Sequence, residues 1–202
     1  MSLNPLQLSF YKGMGGRHGA IQFNFQKPHF YLKNAPKIKN FQGPYITEDM
    51  KLAAAKLSKE TGRVVTCSAE DLVSREGALF MDATSATGAN VYDWANKVTM
   101  ALSIHDLGKL LCLLEGTVTP GEDGKMEVKL MHDPGAKSAT AGKVAKYLTV
   151  SSTGVKVGAV FMVGMKRADG TKVSHTIPLS SDEIKILSVC IRQAVPATLA
   201  WT

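Results

Sequence analysis

The chain has 202 residues, 45% of them hydrophobic and 20% charged, the composition of an ordinary globular protein of one large or two small domains. No stretch approaches the roughly 18 to 20 consecutive apolar residues of a membrane-spanning helix, so we expect no membrane partner. Three isolated cysteines, Cys67, Cys112 and Cys190, fit neither a disulfide framework nor a paired-cysteine zinc site. They predict a reducing compartment.

Positive charge is concentrated in two blocks of the sequence. The net charge is +7, from 24 Lys and Arg residues against 17 Asp and Glu residues. Residues 1–45 and 137–181 each carry +6, whereas residues 46–136 carry −5. Clustered positive charge favours a polyanionic partner, most often nucleic acid, because phosphate contacts release condensed counterions. An ordinary solvated surface is the alternative explanation.

The first half of the chain predicts strands interrupted by loops. Residues 18–32 alternate apolar and polar positions as a half-buried strand does, and Pro28 restricts that strand to an edge or an interruption. Residues 33–45 are predicted to form a loop or extended arm. Thr47 is expected to cap a helix that ends at Gly62. Further strands are predicted at residues 63–68, 77–84 and 91–102, the last two paired antiparallel.

The second half predicts two capped helices and four strands. The spacing of Ser103 and Asp106 is that of a capping box, which predicts a helix over residues 103–115. Ser180 and Glu183 repeat that spacing at the start of the second helix. Both helices are apolar on more than one side, so a further element or another subunit should cover them. Strands are predicted at residues 125–132, 144–151, 158–166 and 172–179.

The order of these elements indicates the fold class. Four strands, a helix, four strands and a helix lack the alternation of βαβ units. We therefore expect an α+β fold, with two four-stranded antiparallel sheets and two helical segments packed between or against them. The second helix is expected to reach about residue 194, where Pro196 should bend or end it. A basic Gly-rich segment over residues 1–17 is expected to precede a single domain over residues 18–202.

No constellation of residues predicts a catalytic site, a metal site or a bound cofactor. The five histidines are scattered without metal-ligand spacing. His105 and Asp106 resemble a dyad of metal-dependent phosphohydrolases, but Asp106 is already assigned to the helix cap. Cys112 and Cys190 are interpreted as small buried thiols within apolar helices. The Gly-rich residues 12–16 lack the order of a phosphate-binding P-loop and only weakly indicate a nucleotide site.

The basic residues fit a binding role, because they fall on loops and strand ends that a phosphate backbone can reach. Aromatic residues interleave with the first basic block, among them Phe30 and Tyr31, as a surface that stacks single strands requires. Phe23 and Phe25 share a strand face with Ile21 and are interpreted as core. The predicted nucleic-acid-binding residues are Lys12, Arg17, His18, Lys27, Lys137, Lys143, Lys146, Lys166, Arg167 and Lys172.

Five segments share the order and spacing of one known family: residues 75–81, 91–94, 99–108, 132–134 and 194–201. Together they resemble the Whirly-type nucleic-acid-binding fold. The resemblance is weak over residues 10–32 and good over residues 75–202. It implies two four-stranded sheets placed like blades about a helical centre, where four protomers meet.

Two branches of that fold have different functions. The plant branch binds single-stranded DNA and carries a KGKAAL-like motif at its first strand, whereas residues 11–21 here are interrupted and lengthened. Residues 33–74 are also longer than the plant pattern. These departures favour the kinetoplastid mitochondrial proteins that bind guide RNA. The alternative is a plant-like single-stranded-DNA-binding protein in transcription or organelle genome maintenance.

The kinetoplastid resemblance implies a protein that binds single-stranded RNA and promotes RNA annealing in mitochondrial RNA editing. Its partners would be the RNA and a related subunit in a heterotetramer or homotetramer, with single-stranded DNA as another ligand. A mitochondrial matrix location is expected, with any presequence already removed. The basic surface would neutralise phosphates largely without sequence specificity, which needs no catalytic residue.

Two other function classes stay open. One is an enzyme, such as a nuclease that uses His105 or His132, and turnover with divalent metals would indicate it. The other is a structural oligomer whose basic face docks an acidic protein. Competition by heparin, but not by single-stranded oligonucleotide, would indicate that second class.

Overall fold

The computed structural model of the chain describes residues 7–13, 18–132, 144–154, 158–167 and 169–198. Packing divides the chain into two compact units. The large unit comprises residues 1–25 and 79–195, and the small unit comprises residues 26–78 and 196–202. Among the described residues, no helix has the length and apolar content needed to cross a membrane.

Twelve strands and three α-helices lie within the described ranges. The strands are β1 (Gln7–Tyr11), β2 (Gly19–Gln26), β3 (His29–Leu32), β4 (Ala35–Asn40), β5 (Leu72–Arg75), β6 (Ala78–Gly88), β7 (Val91–Tyr92), β8 (Val98–Leu102), β9 (Met126–His132), β10 (Val144–Gly154), β11 (Gly158–Arg167) and β12 (Lys172–Leu179). The helices are α1 (Glu48–Thr61), α2 (Ile104–Leu114) and α3 (Ser181–Thr198). The expected α+β class with antiparallel sheets is confirmed.

The large unit contains a five-stranded and a four-stranded sheet. The five-stranded sheet has the order β1-β2-β6-β7, and β8 also pairs with β6. The four-stranded sheet has the order β12-β11-β10-β9. The predicted antiparallel pairing of the strands before and after residues 85–90 is confirmed, because β6 pairs with both β7 and β8. A turn of 3-10 helix at Trp94–Asn96 divides the single strand predicted over residues 91–102.

Alternate residues of the sheets and one side of each of two helices form the core of the large unit. Ile21 and Phe23 are buried and Phe25 packs against them, as the shared strand face predicted. Leucines of α2 and the stripe of α3 that includes Ile184 and Leu187 are buried in the same cluster. Burial of apolar surface stabilises the fold by about 25 cal/mol per Å².

Each of the three predicted helix starts is capped as expected. Thr47 Oγ1 accepts a hydrogen bond from the backbone N–H of Met50. The backbone N–H of Ser103 donates to Asp106 Oδ2 over 2.9 Å, and that of Ser180 donates to Glu183 Oε2 over 2.8 Å. These bonds satisfy backbone N–H groups that have no partner within the helix, and each contributes about 1 kcal/mol to stability.

The small unit is a three-stranded sheet, of order β4-β3-β5, covered by α1. One face of this sheet, with Leu32, Ala35 and Leu72, packs against Met50 and Ala54 of the helix. The helix ends at Gly62, whose φ of 66° is the left-handed conformation that glycine adopts without strain. The unit therefore has a hydrophobic core of its own.

Three expectations about the architecture are wrong. The described chain forms three sheets of five, four and three strands, where two four-stranded sheets were expected, and the predicted helix after Thr47 belongs to the third sheet rather than to the two helical segments expected against the others. Residues 33–45 contain β4, whose Pro36 is tolerated because β4 is an edge strand. Residues 63–68 form no strand, because β5 takes the place beside β3. Strand propensity needs a pairing partner to be expressed.

Two further expectations concern the helices. Pro196 does not end α3, which continues to Thr198 with the proline in its last turn. Cys112 is exposed rather than buried, because it faces away from the leucines of α2 that enter the core. Cys190 is half-buried.

Candidate nucleic-acid interface

The structure places the ten predicted binding residues in different surroundings. Arg17, Lys137 and Lys143 lie outside the described residues. Lys27 is exposed and belongs to the small unit. His18 is exposed and immediately precedes β2 in the large unit. Seven of the ten residues are therefore described, six of them in the large unit and one in the small unit.

Lys12 is engaged in an ion pair within the large unit. Its Nζ lies 2.6 Å from Oε2 of Glu183, and both side chains are mostly shielded from solvent. Burial alone would raise the pKa of the Glu183 carboxyl, but hydrogen bonds from Lys12 and Ser180 outweigh it and lower that pKa overall. Lys12, which directly follows β1, therefore connects the end of that strand to the first turn of α3.

Lys146 is engaged on the inner side of the four-stranded sheet. Residues of β10 alternate between the two faces of the sheet, and Leu148 and Val150, which share the face of Lys146, are fully buried. The Lys146 ammonium donates a hydrogen bond to the backbone carbonyl of Thr99 over 2.6 Å. This lysine therefore connects β10 to β8.

The opposite face of the four-stranded sheet is open to solvent, and we call it the outer face. The register between the strands places its side chains in cross-strand rows. Positions with the opposite parity on the same strands, such as Phe161 and Ile177, are buried. The outer face consists of Glu127, Lys129, Met131, Ala145, Tyr147, Thr149, Ser151, Val160, Met162, Gly164, Lys166, Lys172, Ser174, Thr176 and Pro178.

Lys166 and Lys172 form the cationic end of the outer face. They are direct cross-strand partners, both exposed, beside the turn that joins β11 to β12. Arg167 is exposed at the same turn, and its backbone N–H donates to the carbonyl of Thr171. No described carboxylate forms an ion pair with any of these three cations. Their charge is therefore available to a ligand.

Asp169 lies within this turn, and its carboxylate already accepts a hydrogen bond from the backbone N–H of Thr171. Hydrogen bonds from the backbone and side chain of Thr171 lower the pKa of the Asp169 carboxyl, and the charge of Arg167 adds to that effect. Lys129, at the other side of the outer face, pairs with Glu127 over 2.5 Å. The net positive potential of the outer face therefore lies at its Lys166 end.

An aromatic ring lies one row away from the two lysines. Tyr147 and Gly164 are cross-strand partners, and a Cβ built on Gly164 would collide with Cζ of Tyr147. Only glycine therefore leaves room for the tyrosine ring to lie over β11. Met162 is 42% exposed and Met131 is 74% exposed on the same face. A ring and two polarisable side chains next to cations suit a ligand that has both flat bases and phosphates.

Asp106 and His132, two of the residues considered for catalysis, have structural partners, and His105 is exposed. Asp106 accepts hydrogen bonds from Ser103, and His132 Nε2 lies 3.0 Å from Asp106 Oδ2. Burial would raise the pKa of the Asp106 carboxyl, but the bonds from Ser103 and the proximity of His132 outweigh it and lower that pKa. Over the described residues, no group of three His, Cys, Asp or Glu side chains could hold a metal ion.

Sequence reasoning missed Tyr147, Met131 and Met162 as members of the outer face. The alternation of apolar and polar residues along 144–150 could have shown this, because Lys146 lies two residues from the apolar Leu148 and so shares its buried strand face. Tyr147 then lies on the opposite, outer face. The position of Gly164 opposite this ring required the strand register, which the sequence alone does not provide.

The chain matches known proteins in sequence. Residues 51–190 match the family model described as Whirly transcription factor. The mitochondrial single-stranded DNA-binding protein WHY2 of Arabidopsis thaliana is 26% identical over 130 residues, which cover 64% of this chain and 51% of that protein. The chloroplastic single-stranded DNA-binding protein WHY1 of Zea mays is 25% identical over 131 residues, covering 64% and 46%. The alignment thus spans about half the length of these relatives.

The fold matches solved structures over nearly the whole chain. The crystal structure of WHY1 from Arabidopsis thaliana has a TM-score of 0.66 and 19% identity, covering 100% of this chain and 94% of that one. The structure of the plant transcriptional regulator PBF-2 has a TM-score of 0.65 and 21% identity, covering 100% and 86%. At these identities the likeness concerns the fold.

Proposed function

This chain belongs to the Whirly family, and from that premise we propose that it binds single-stranded DNA on the outer face of its four-stranded sheet. The observation that carries the proposal is the pair Lys166 and Lys172 one row from the Tyr147 ring over Gly164. Lys12 and Lys146 are left out of the proposed interface because their ammonium groups already have partners. The family description names a transcription factor, so the proposed activity is binding without a reaction.

A single strand suits this face better than a duplex. Lys166 and Lys172 would neutralise phosphates, and release of their counterions would make the affinity depend steeply on salt. The Tyr147 ring and the exposed methionines would contact base faces, which a single strand exposes and a duplex stacks against neighbouring base pairs. Stacking accepts every base, so little sequence preference is expected.

The names of the relatives favour DNA over the guide RNA expected from the kinetoplastid resemblance. WHY2 of Arabidopsis thaliana and WHY1 of Zea mays are named as single-stranded DNA-binding proteins. The guide-RNA proposal, with annealing and RNA editing, therefore becomes the second candidate. Its remaining support is the two departures from the plant pattern, at residues 11–21 and in the additional length of residues 33–74, which contain most of the small unit.

Equilibrium binding of matched single-stranded DNA, single-stranded RNA and duplex DNA tests the proposal. We expect the tightest binding to single-stranded DNA, with affinity that falls as salt rises. Tighter binding to RNA together with faster annealing of complementary strands would favour the guide-RNA candidate. Equal binding to duplex DNA would contradict the contact between the outer face and exposed bases.

We also propose that the chain assembles with further copies or with a related subunit. Ile186 and Val189 of α3 are each 49% exposed, outside the stripe of Ile184, Leu187 and Ile191 that packs into the core. Covering these side chains would remove apolar surface from water. The expected tetramer can be checked by light scattering of the purified protein, and a monomer at all concentrations would contradict it.

The compartment and domain boundaries are proposals of the same kind. WHY2 of Arabidopsis thaliana is named as mitochondrial and the WHY1 proteins as chloroplastic, which supports an organelle as the site of action. The mitochondrial matrix is the specific proposal, and localisation of a tagged protein tests it. Limited proteolysis tests whether residues 18–202 behave as a single domain.

A further inference from the structure

The small unit has a second face that its own core does not use. In its three-stranded sheet, Tyr31 pairs with Lys39 and with Val73, while His29 pairs with Arg75. Cross-strand partners point to the same side of a sheet, so all five share one face. Leu32 and Ala35 point to the other side, where α1 covers them. We call the first side the aromatic face, and Phe41 extends it.

Three rings form a row on the aromatic face. The His29 ring lies 5.2 Å from the Phe41 ring and 6.1 Å from the Tyr31 ring, measured between centroids. His29 itself is only 2% exposed, whereas Phe41 is 56% exposed and Tyr31 is half-buried. Exposed aromatic rings that no core residue covers leave apolar surface in water, which favours an external ligand.

Cations border this row of rings. Lys39 and Arg75 are exposed, and their charges help burial to lower the pKa of His29, which places both near the ring. No ion pair in the described part of the small unit involves either cation. The side chain of Asp71, a nearby acid in sequence, is hydrogen-bonded to Ser68.

We propose that the aromatic face is a second contact site for single-stranded nucleic acid, with bases stacking on Phe41 and Tyr31 and phosphates meeting Lys39 and Arg75. A row of aromatic rings bordered by cations is complementary to a ligand of alternating bases and phosphates. It is less complementary to an acidic or an apolar protein surface. Residues 29–41 precede the region that the family model matches, whereas Arg75 lies within it, so the ring row of the site, but not the whole site, is outside that model. This inference rests on the proposed single-strand binding.

Ring-removing variants test the site in the full chain. Tyr31→Leu combined with Phe41→Leu should weaken binding of a labelled oligothymidylate at least about fivefold, the effect of losing one stacked base. Tyr45→Leu is the matched control, because Tyr45 is a half-exposed aromatic residue of the same unit outside the strand pairs of this face. Unchanged circular dichroism and melting temperature would confirm that the variants fold.

Charge-removing variants test the phosphate contacts. Lys39→Ala with Arg75→Ala should reduce the slope of log affinity against log salt by about 1.4, from about 0.7 for each single-strand contact. Lys56→Ala with Arg63→Ala removes the same charge from exposed positions on and after α1 and should leave the slope nearly unchanged. Equal effects in both pairs would overturn the site, because only net charge would then matter.

Photocrosslinking separates this inference from the proposed function. An oligonucleotide substituted with 5-bromouracil should crosslink to Tyr31 or Phe41. If the wild-type protein binds the oligonucleotide without such crosslinks, and the variants at Tyr31, Phe41, Lys39 and Arg75 bind it with the same affinity, the aromatic face is overturned and the proposed function stays intact. Absence of binding by the wild-type protein would overturn both.

Discussion

Lys146 and Lys166 stand on adjacent strands of the four-stranded sheet, but their ammonium groups have opposite surroundings. Lys146 has the parity of the buried Leu148 and donates to the Thr99 carbonyl. Lys166 has the opposite parity and stands exposed beside Lys172. The inner lysine holds two strands together and the outer lysine is available to a ligand. The face of the strand on which each lysine lies therefore decides its role. Its charge and its neighbours in the sequence do not.

Replacing the inner lysine gives the largest expected change in stability. Lys146→Met keeps the length of the side chain but leaves the Thr99 carbonyl without its charged donor, which should lower the free energy of unfolding by about 1–3 kcal/mol. Lys166→Met should change it by less than about 0.5 kcal/mol. Urea denaturation measures both. Equal destabilisation by the two variants would contradict the assignment of inner and outer roles.

The ring on the outer face gives the next effect. Tyr147→Ala should weaken binding of single-stranded DNA about fivefold to tenfold, because one stacked base loses its platform. Tyr147→Phe keeps the ring over Gly164 and should retain the wild-type affinity. Fluorescence anisotropy with a labelled oligonucleotide measures both. If Tyr147→Phe weakens binding as much as Tyr147→Ala, a hydroxyl contact rather than stacking carries the interaction.

Acid should also lower the free energy of unfolding through the buried His175, and this effect should be smaller. Burial lowers the pKa of His175, against weaker opposing effects of the Asn96 backbone and the Asp93 carboxylate. The unfolded chain then binds more protons than the folded chain below about pH 6.5, the ordinary pKa of histidine. This contribution to stability is complete above that pH and is lost as the pH falls toward the folded-state pKa.

Unfolding free energies measured between pH 7.5 and 5, a range spanning the ordinary pKa of about 6.5, check this expectation. The wild-type protein should lose stability on acidification, and His175→Gln should lose less. His29, whose pKa is also lowered by burial, should contribute in the same direction. An equal pH dependence in the wild type and His175→Gln would contradict the effect assigned to His175.

Local signals in the sequence predicted the helices and most strands. The cap spacings at Ser103 and Ser180 identified two helix starts, because capping depends on residues three apart in sequence. β4 was missed because its proline is acceptable only on an edge strand, and the strand order is a property of the whole sheet. A third sheet was missed for the same reason.

The candidate site was less accessible to sequence reasoning. Alternation along β10 could have placed Lys146 on the buried side, but the ion pair of Lys12 with Glu183 joins residues 171 positions apart. No local pattern identifies such a partner. The placement of Tyr147 over Gly164 likewise depends on the register of two strands.

The salt dependence of single-stranded DNA binding tests the central claim most directly. Lys166→Ala with Lys172→Ala should weaken binding roughly tenfold at moderate salt and reduce the slope of log affinity against log salt by about 1.4. Lys56→Ala with Lys59→Ala removes the same charge from exposed positions of α1 and should change neither quantity appreciably. A wild-type slope and affinity in the Lys166 and Lys172 variant would contradict binding on the outer face.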